Sequence, residues 1–516
     1  MNDLVGRRHL GMLLDEQVSE RGAAPFVVFE DRDGDRAELT YAAFQEAVAR
    51  LATGLREIGV GRDTKVVVHL RNCPELLVAF FAIARLGAVV VPNIVANRVP
   101  ETEHVVAFSD AEVVLTSAAY TELFAEVLPR VPAVRAVVMT SRDGAPTELA
   151  THPYDDLAAS EPLADWPALD AEDVAEMIFT SGTTARPKAV MLTHANLLWA
   201  GERTVRDFLM RPEDRLLTAL PLFHGNAQAL ALLPALTVGA CLVMLEEYRA
   251  TRFWGQVREH RATLTGLVAM LVRTLMAQPP SPRDREHELR VVNYAINVPD
   301  AERAAFEERF GVTLSNGYGL SEAMLVVSHV PIYRPKRWPS IGLPAGERRV
   351  RVVDEAGEEV ATGEVGEITV LGVPGRTLMK GYYKDPEATT DAIRDGWLHT
   401  GDNGWFDELG YLYFFDRKKD VIKRAGENVS AMEVETVLLE HPEIALAAVV
   451  AVPDPIRDEA VKAFVVRREG STLQTEAIQA FCAERLAPFK VPTIVELRED
   501  LPLTSVGKVE KKVLRA

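Results

Sequence analysis

Short β-rich apolar runs take turns with helical patterns along this chain, and that alternation constrains its architecture most. KVVVHL (65–70) precedes a helical stretch near 74–86, AVVVPNI (88–94) follows it, and EVVLTS (112–117), AVVMTS (136–141) and EMIFTS (176–181) are further short strands. Parallel neighbours need a crossover between them, so this order predicts an α/β fold with mainly parallel sheets flanked by helices. From Leu216 to Leu245 there is no Asp, Glu, Lys or Arg. Pro221, His224, Gly225, Asn226, Gln228, Pro234 and Gly239 interrupt the run, which falls short of the ~20 clean apolar residues of a membrane span. It reads as strand 216–220, helix 226–236 and strand 240–245, a buried βαβ unit. The polar, proline-rich stretch 145–174 reads as a long surface connection.

After about residue 340 the texture changes. VRVVDEAGEEVATGEVGEITVLG (350–372) alternates and turns on glycines, as the hairpins of a β-rich subdomain do. Arg417, Lys418, Lys419, Lys423 and Arg424 then concentrate charge. The last hundred residues hold short strands and helices, enough for a small α+β domain, which divides the chain into 1–416 and 417–516. A net charge of −18 argues against nucleic-acid or anionic-membrane partners. Cys73, Cys241 and Cys482 are too far apart for a disulfide framework or thiolate metal site, as expected in a reducing compartment. The N-terminus does not read as a signal peptide, so the expected location is cytoplasmic.

One segment departs from core-building logic. FTSGTTARPKAVMLTH (179–194) sets Thr180, Ser181, Gly182, Thr183 and Thr184 before Lys188. It is not a Walker loop, because Pro187 and Ala189 stand where that motif has glycine and a hydroxyl. The physics is shared: small residues expose backbone N–H groups to a phosphate, hydroxyls add donors and a lysine adds charge. The bland alternative is a polar turn between a strand and a helix.

Further motifs follow in order: Tyr318-Gly-Leu-Ser-Glu322, Gly396-Trp-Leu-His-Thr-Gly-Asp402, Asp416-Arg-Lys-Lys-Asp420 and Gly507-Lys508. Together with Thr180–Lys188 this series resembles the adenylate-forming superfamily of acyl-CoA ligases, peptide-synthetase adenylation domains and luciferases, over essentially the whole chain. FWGQV, RTLMAQPPS, RWPSIG and GENVS look especially like the carnitine-CoA and crotonobetaine-CoA ligase branch. The resemblance implies an ATP-dependent, AMP-forming acid–thiol ligase. A carboxylate attacks the α-phosphate of ATP, and coenzyme A then displaces AMP, while the small C-terminal domain is mobile between the two steps.

It also implies roles. Thr180–Thr184 and Lys188 would cradle the β- and γ-phosphates. Ser321 would bond phosphate, Tyr318 would pack on adenine, and Glu322 would hold Mg²⁺ as the one metal ligand. Asp402 and Arg417 would take the ribose, Lys419 would be the hinge, and Lys508 would contact the α-phosphate and carboxylate oxygens. Gly426 would line the pantetheine tunnel, with His224 as the gate between that tunnel and the acyl pocket. The pocket would draw on Gly225, Asn226, Ala295, Ile296, Gly319 and Leu325, and is expected to be roomy and mostly apolar, without a fixed anion for a quaternary ammonium. Ser321 stands before Glu-Ala, as a helix N-cap would.

Two departures qualify the resemblance. Ala185 and Ala189 replace glycines of the phosphate loop, at a cost of about 1 kcal/mol wherever φ is positive. Asn293, Tyr294, Ala295 and Ile296 replace a Gly-Gly-Ala-type segment beside adenine and the acyl group. They open two alternatives: a thioesterifying ligase that takes acyl-adenylate from a partner adenylating enzyme, and a non-catalytic nucleotide-binding relative. A separate carrier protein in place of coenzyme A, and a monomer or homodimer, are further open choices.

Overall fold

The computed structural model describes residues 3–180, 187–295, 298, 300–346, 348–417, 420–424, 427–454, 458–503 and 509–515. These residues form four sheets. The alternation read from the sequence becomes two large ones. In the first, Lys65–Val68, Val89–Pro92, Val113–Ser117 and Ala136–Thr140 run parallel, and Val174–Thr180 joins beside Val89–Pro92. In the second, Pro25–Glu30, Cys241–Leu245, Arg215–Thr218, Leu264–Val268, Val291–Ala295 and Leu314–Tyr318 are parallel neighbours in that spatial order. The uncharged run is the expected βαβ unit, with Arg215–Thr218 and Cys241–Leu245 side by side. Its helix carries a π turn over Gln228–Leu232, a distortion common at functional sites.

Helix starts follow local chemistry. Thr40 accepts from the N–H of Ala43, and Pro74 opens the helix Pro74–Arg85 with Glu75 in its positive first turn. Thr193 and Asn196 form a reciprocal capping box at His194–Asp207. They also reach across the chain: the Thr193 hydroxyl donates to Gly375 O at 2.6 Å and Asn196 Nδ2 to Leu378 O at 2.7 Å. One apolar core draws on both large sheets, with Phe26, Phe44, Phe81, Leu242 and Tyr294 fully buried in it, and a second, including Val67, Val91 and Phe124, packs on the other face of the first sheet. The stretch 145–174 is less superficial than expected. Its helix Tyr154–Ala158 buries Tyr154 and Leu157 in the first core, because a long connection can cover apolar surface only by contributing some of its own.

The third sheet is antiparallel and contains Arg349–Val353, Gly366–Leu371 and Trp397–Phe406, the expected hairpin subdomain. Its strand Leu412–Arg417 ends at the charge cluster. Val421–Arg424 begins the fourth sheet, which has its own apolar core including Ile422, Val449, Val465 and Cys482. Asp416 ties the two sides together, accepting from the Ser430 hydroxyl at 3.2 Å and the Met432 N–H at 3.1 Å. No helix among the described residues is long and apolar enough to cross a membrane.

Candidate active site

A cavity of about 1540 Å³ lies at the C-terminal ends of the parallel strands and collects residues from distant parts of the chain. Thr180, Lys188, His224, Tyr318, Glu322 and Asp402 all line it. Carboxyl ends of parallel strands are where open α/β sheets place their ligands.

The segment 181–187 joins Val174–Thr180 to a second strand, Lys188–Thr193, in an antiparallel hairpin, and does not lead directly into a helix. Thr180 pairs with Lys188 across its neck, so both stand at the mouth of the loop. Ser181, Gly182, Thr183 and Thr184 lie outside the described residues. Ala189 sits fully buried in the strand opposite Phe179, and no positive φ falls there. A glycine would gain nothing at that position, so the cost expected from Ala189 disappears. Ala185 lies outside the described residues.

The Lys188 ammonium lies 4.6 Å from the centre of the Tyr382 ring. The Tyr382 hydroxyl donates to Glu322 Oε1 at 2.9 Å, and burial, with the Glu322 carboxylate second, pushes the Tyr382 phenol well above its ordinary range. Lysine, phenol and carboxylate thus form one chain of contacts, and Tyr382 is a member that no motif announced. Glu322 belongs to a single 3₁₀ turn, Ser321–Ala323, whose cap position is Leu320. Ser321 is therefore the first residue of the turn and not its cap. A Mg²⁺ ion bound with ATP takes most ligands from phosphate and water, so one protein carboxylate opening on the cleft suits it. No larger cluster of metal-ligating side chains occurs among the described residues.

The turn is tightly specified. Met324 and Leu325 both hold left-handed backbones, φ 49° and 71°, an uncommon pairing for non-glycine residues. Arg348 holds them: fully buried, it donates to Ala323 O, to Val326 O at 3.2 Å and to Thr377 O at 2.9 Å, with its guanidinium 4.2 Å from the Trp199 ring centre. Burial, with Arg203 nearby, lowers its pKa to about 9. At Gly319 a Cβ would lie 0.9 Å from Leu325 O, so only glycine permits this approach.

Tyr318 donates to Asp402 Oδ2 at 2.6 Å, and Asp402 is 8% exposed. Asp402 pairs along the backbone with Arg417. This brings the two expected ribose residues onto adjacent strands, although the Arg417 side chain lies outside the described residues. His224 stands at the cap position of the helical turn Gly225–Ala227, its ring 4.7 Å from that of Phe223. A Cβ on Gly225 would come within 3.2 Å of Leu325 and 3.3 Å of Ile178, so glycine keeps this wall open. Asn226 and Leu325 also line the cavity. Ile296, Lys419, Gly426, Lys508 and the Ala295 side chain lie outside the described residues. Leu503 and Glu510, on either side of the tail that carries Lys508, line the cavity.

Polar side chains are set into the mostly apolar lining of the pocket. Asn293, Asn316, Ser328 and His329 line it from adjacent strands. The Tyr294 side chain is fully buried in the core, as its strand position requires.

Comparison with known proteins agrees with this geometry. A crotonobetaine/carnitine–CoA ligase of Salmonella paratyphi A is 39% identical over 516 residues, covering 99% of this chain and 100% of the relative. The crystal structure of the anthranilate CoA ligase AuaEII in complex with anthranoyl-AMP superposes with a TM-score of 0.90 at 23% identity, over 100% of this chain and 98% of that one. ATP-bound MatB from Rhodopseudomonas palustris gives 0.86 at 27% identity, over 98% of each chain, and its apo form gives 0.76 at 26% with the same coverage. Family models described as AMP-binding enzyme and AMP-binding enzyme C-terminal domain match residues 14–383 and 433–508. A match spanning both the nucleotide cleft and the C-terminal part, joined to full-length identity of this order, means that the chain belongs to the AMP-binding enzyme family.

Proposed function

We propose that this chain is an acyl-CoA ligase that activates a carboxylic acid as its acyl-adenylate and transfers the acyl group to coenzyme A. The observation that carries this reading is the convergence of Lys188, Glu322, Asp402 and His224 on one cavity. In the first step a carboxylate oxygen attacks the α-phosphorus of ATP and the bond to the β-phosphate oxygen breaks, releasing pyrophosphate. Lys188 and the Thr180–Thr184 loop would offset the charge building on the leaving phosphates. Glu322 would hold Mg²⁺, which neutralises phosphate charge when bound. Tyr382 would orient that carboxylate, and Asp402 and Arg417 would hold the ribose. In the second step the thiolate of coenzyme A attacks the acyl carbon and AMP departs, with His224 between the acyl group and the thiol path and Gly426 beside that path.

Lys508 would act in the first step and withdraw for the second, with residue 419 as pivot between parts 1–416 and 417–516. Leu503 and Glu510 at the cavity, and the closer likeness to ATP-bound than to apo MatB, support an arrangement suited to the adenylating step. The Ala189 strand position removes one of the grounds for a thioesterification-only enzyme. The test mixes protein, ATP, Mg²⁺, coenzyme A and a panel of carboxylic acids, following pyrophosphate release and acyl-CoA mass. Acid-dependent release of pyrophosphate together with acyl-CoA supports the reading, and the absence of both products for every acid refutes it.

A further inference from the structure

Asn293 stands out among the described polar residues of the cavity's inner wall. Asn293 lies in the strand Val291–Ala295, is 8% exposed and lines the cavity. Its amide has no hydrogen-bond partner among the described residues. Its polar neighbours are engaged. Asn316 Nδ2 donates to Ser340 O at 3.4 Å and the Ser328 hydroxyl to Ile341 O at 2.8 Å. The two ring nitrogens of His329 face Val330 O at 3.3 Å and Asp207 at 3.4 Å. The residue is otherwise buried and its amide borders the cavity, so its donor and acceptor are open to a group that enters there.

Its position says which part of a ligand reaches it. Asn293 is level with Ser315, three residues before Tyr318, whose hydroxyl holds Asp402 at the nucleotide end. At about 3.3 Å per residue, Asn293 sits roughly 10 Å inward from that end. Charge narrows the chemistry. Among the carboxylates that line the cavity, Glu322 and Asp402 belong to the nucleotide end, Glu101 to the helix Val99–Phe108 and Glu510 to the C-terminal segment. Asp207 lies behind His329 and is paired with Arg203. The wall around Asn293 therefore suits a neutral partner better than a cation.

We propose that the acid carries a neutral hydrogen-bonding substituent, a hydroxyl, oxo or amide group, on its tail, and that Asn293 is the residue selecting for it. This rests on the ligase reading. Sites built to bond a polar substituent discriminate strongly against acids lacking it, because the buried group is then stranded.

The experiment uses the full chain with ATP, Mg²⁺, coenzyme A and matched acids. These are straight-chain C6 and C8 acids, plain and with a hydroxyl or oxo group at successive carbons, and aromatic acids with and without a ring hydroxyl. Acyl-CoA is scored by mass. Wild type is expected to prefer at least one substituted acid over its plain counterpart by tenfold or more in kcat/KM. Asn293→Leu should bring that ratio to about one or invert it, and Asn293→Ser, which keeps a shorter hydroxyl, should retain part of it. Preference for the plain acid in every pair, or an unchanged ratio in a folded Asn293→Leu protein, overturns the inference and leaves the ligase reading standing. Absence of both pyrophosphate and acyl-CoA from every acid overturns both.

Discussion

Replacing Glu176 with glutamine should stabilise the protein, and increasingly so as pH rises. Glu176 is fully buried on the strand Val174–Thr180, two residues before the cavity-lining Ile178. Its Oε1 accepts from Gln228 Nε2 at 2.7 Å, and the same Nε2 donates to Leu222 O at 2.9 Å. Its ladder neighbours Val90 and Leu192 are apolar. Burial pushes the Glu176 carboxyl from 4.5 up to about 8, with the Gln228 bond opposing the shift. A raised carboxyl pKa gives stability that is full below pH ~4.5 and declines as pH climbs toward 8, because the folded state keeps a proton the unfolded chain releases. At 1.36 kcal/mol per pH unit the loss between pH 5 and 7 is on the order of 2–3 kcal/mol. Glutamine keeps the acceptor for Gln228 and has no proton to lose. The stability difference between variant and wild type should therefore grow by about 2–3 kcal/mol over that interval. At ~2.1 cal/mol/K per residue over about 400 cooperatively unfolding residues, this is about 3 °C in Tm. Paired calorimetric scans at pH 5, 6 and 7 measure it. A difference that stays flat, or widens toward acid pH, refutes the picture of a buried, protonated carboxyl.

Three further outcomes follow from the cleft. Lys188→Ala should slow acid-dependent pyrophosphate release by roughly 10²–10³, while thioester formation from supplied acyl-adenylate stays near wild type; equal loss in both half-reactions contradicts the phosphate role. Gly319→Ala must displace the Leu325 carbonyl, which would lie 0.9 Å from the new Cβ, so adenylation should fall at least tenfold even in protein that remains folded, and unchanged activity would mean the turn is softer than its geometry implies. Arg348→Met should destabilise by about 3 kcal/mol, since three buried carbonyls lose their donor, and should raise KM for MgATP through the loosened Glu322 turn; an unchanged KM in a less stable protein would confine Arg348 to the core.

Part of the cleft was legible in one dimension because short runs of small, hydroxylic and charged residues stand out from a core-building background, as at Thr180–Lys188, and because the motif series pointed to Glu322 and Asp402. All of Thr180, Lys188, Glu322 and Asp402 line one cavity. Tyr382 and Arg348 were not legible: a tyrosine or an arginine carries no local signal of what it touches, and each meets the Glu322 turn from a remote segment. Ala189 shows the opposite error. Its place in a glycine-rich motif suggested a strained backbone, whereas strand register makes it an ordinary buried position. Ser321 likewise resembles a helix cap in sequence, yet the turn it opens is too short to need one.

Periodicity and punctuation were enough to establish alternating strands and helices, a change of texture near residue 340 and the order of the motifs, since these depend on local backbone preference and on the period at which apolar residues recur. Which side chains would share one cleft depended on the crossing order of the strands, which puts Leu314–Tyr318 beside Val291–Ala295 and sets Asn293 into the inner wall. Long-range pairing of this kind leaves no trace in any short window, because its energy comes from surfaces that meet only after the chain has folded.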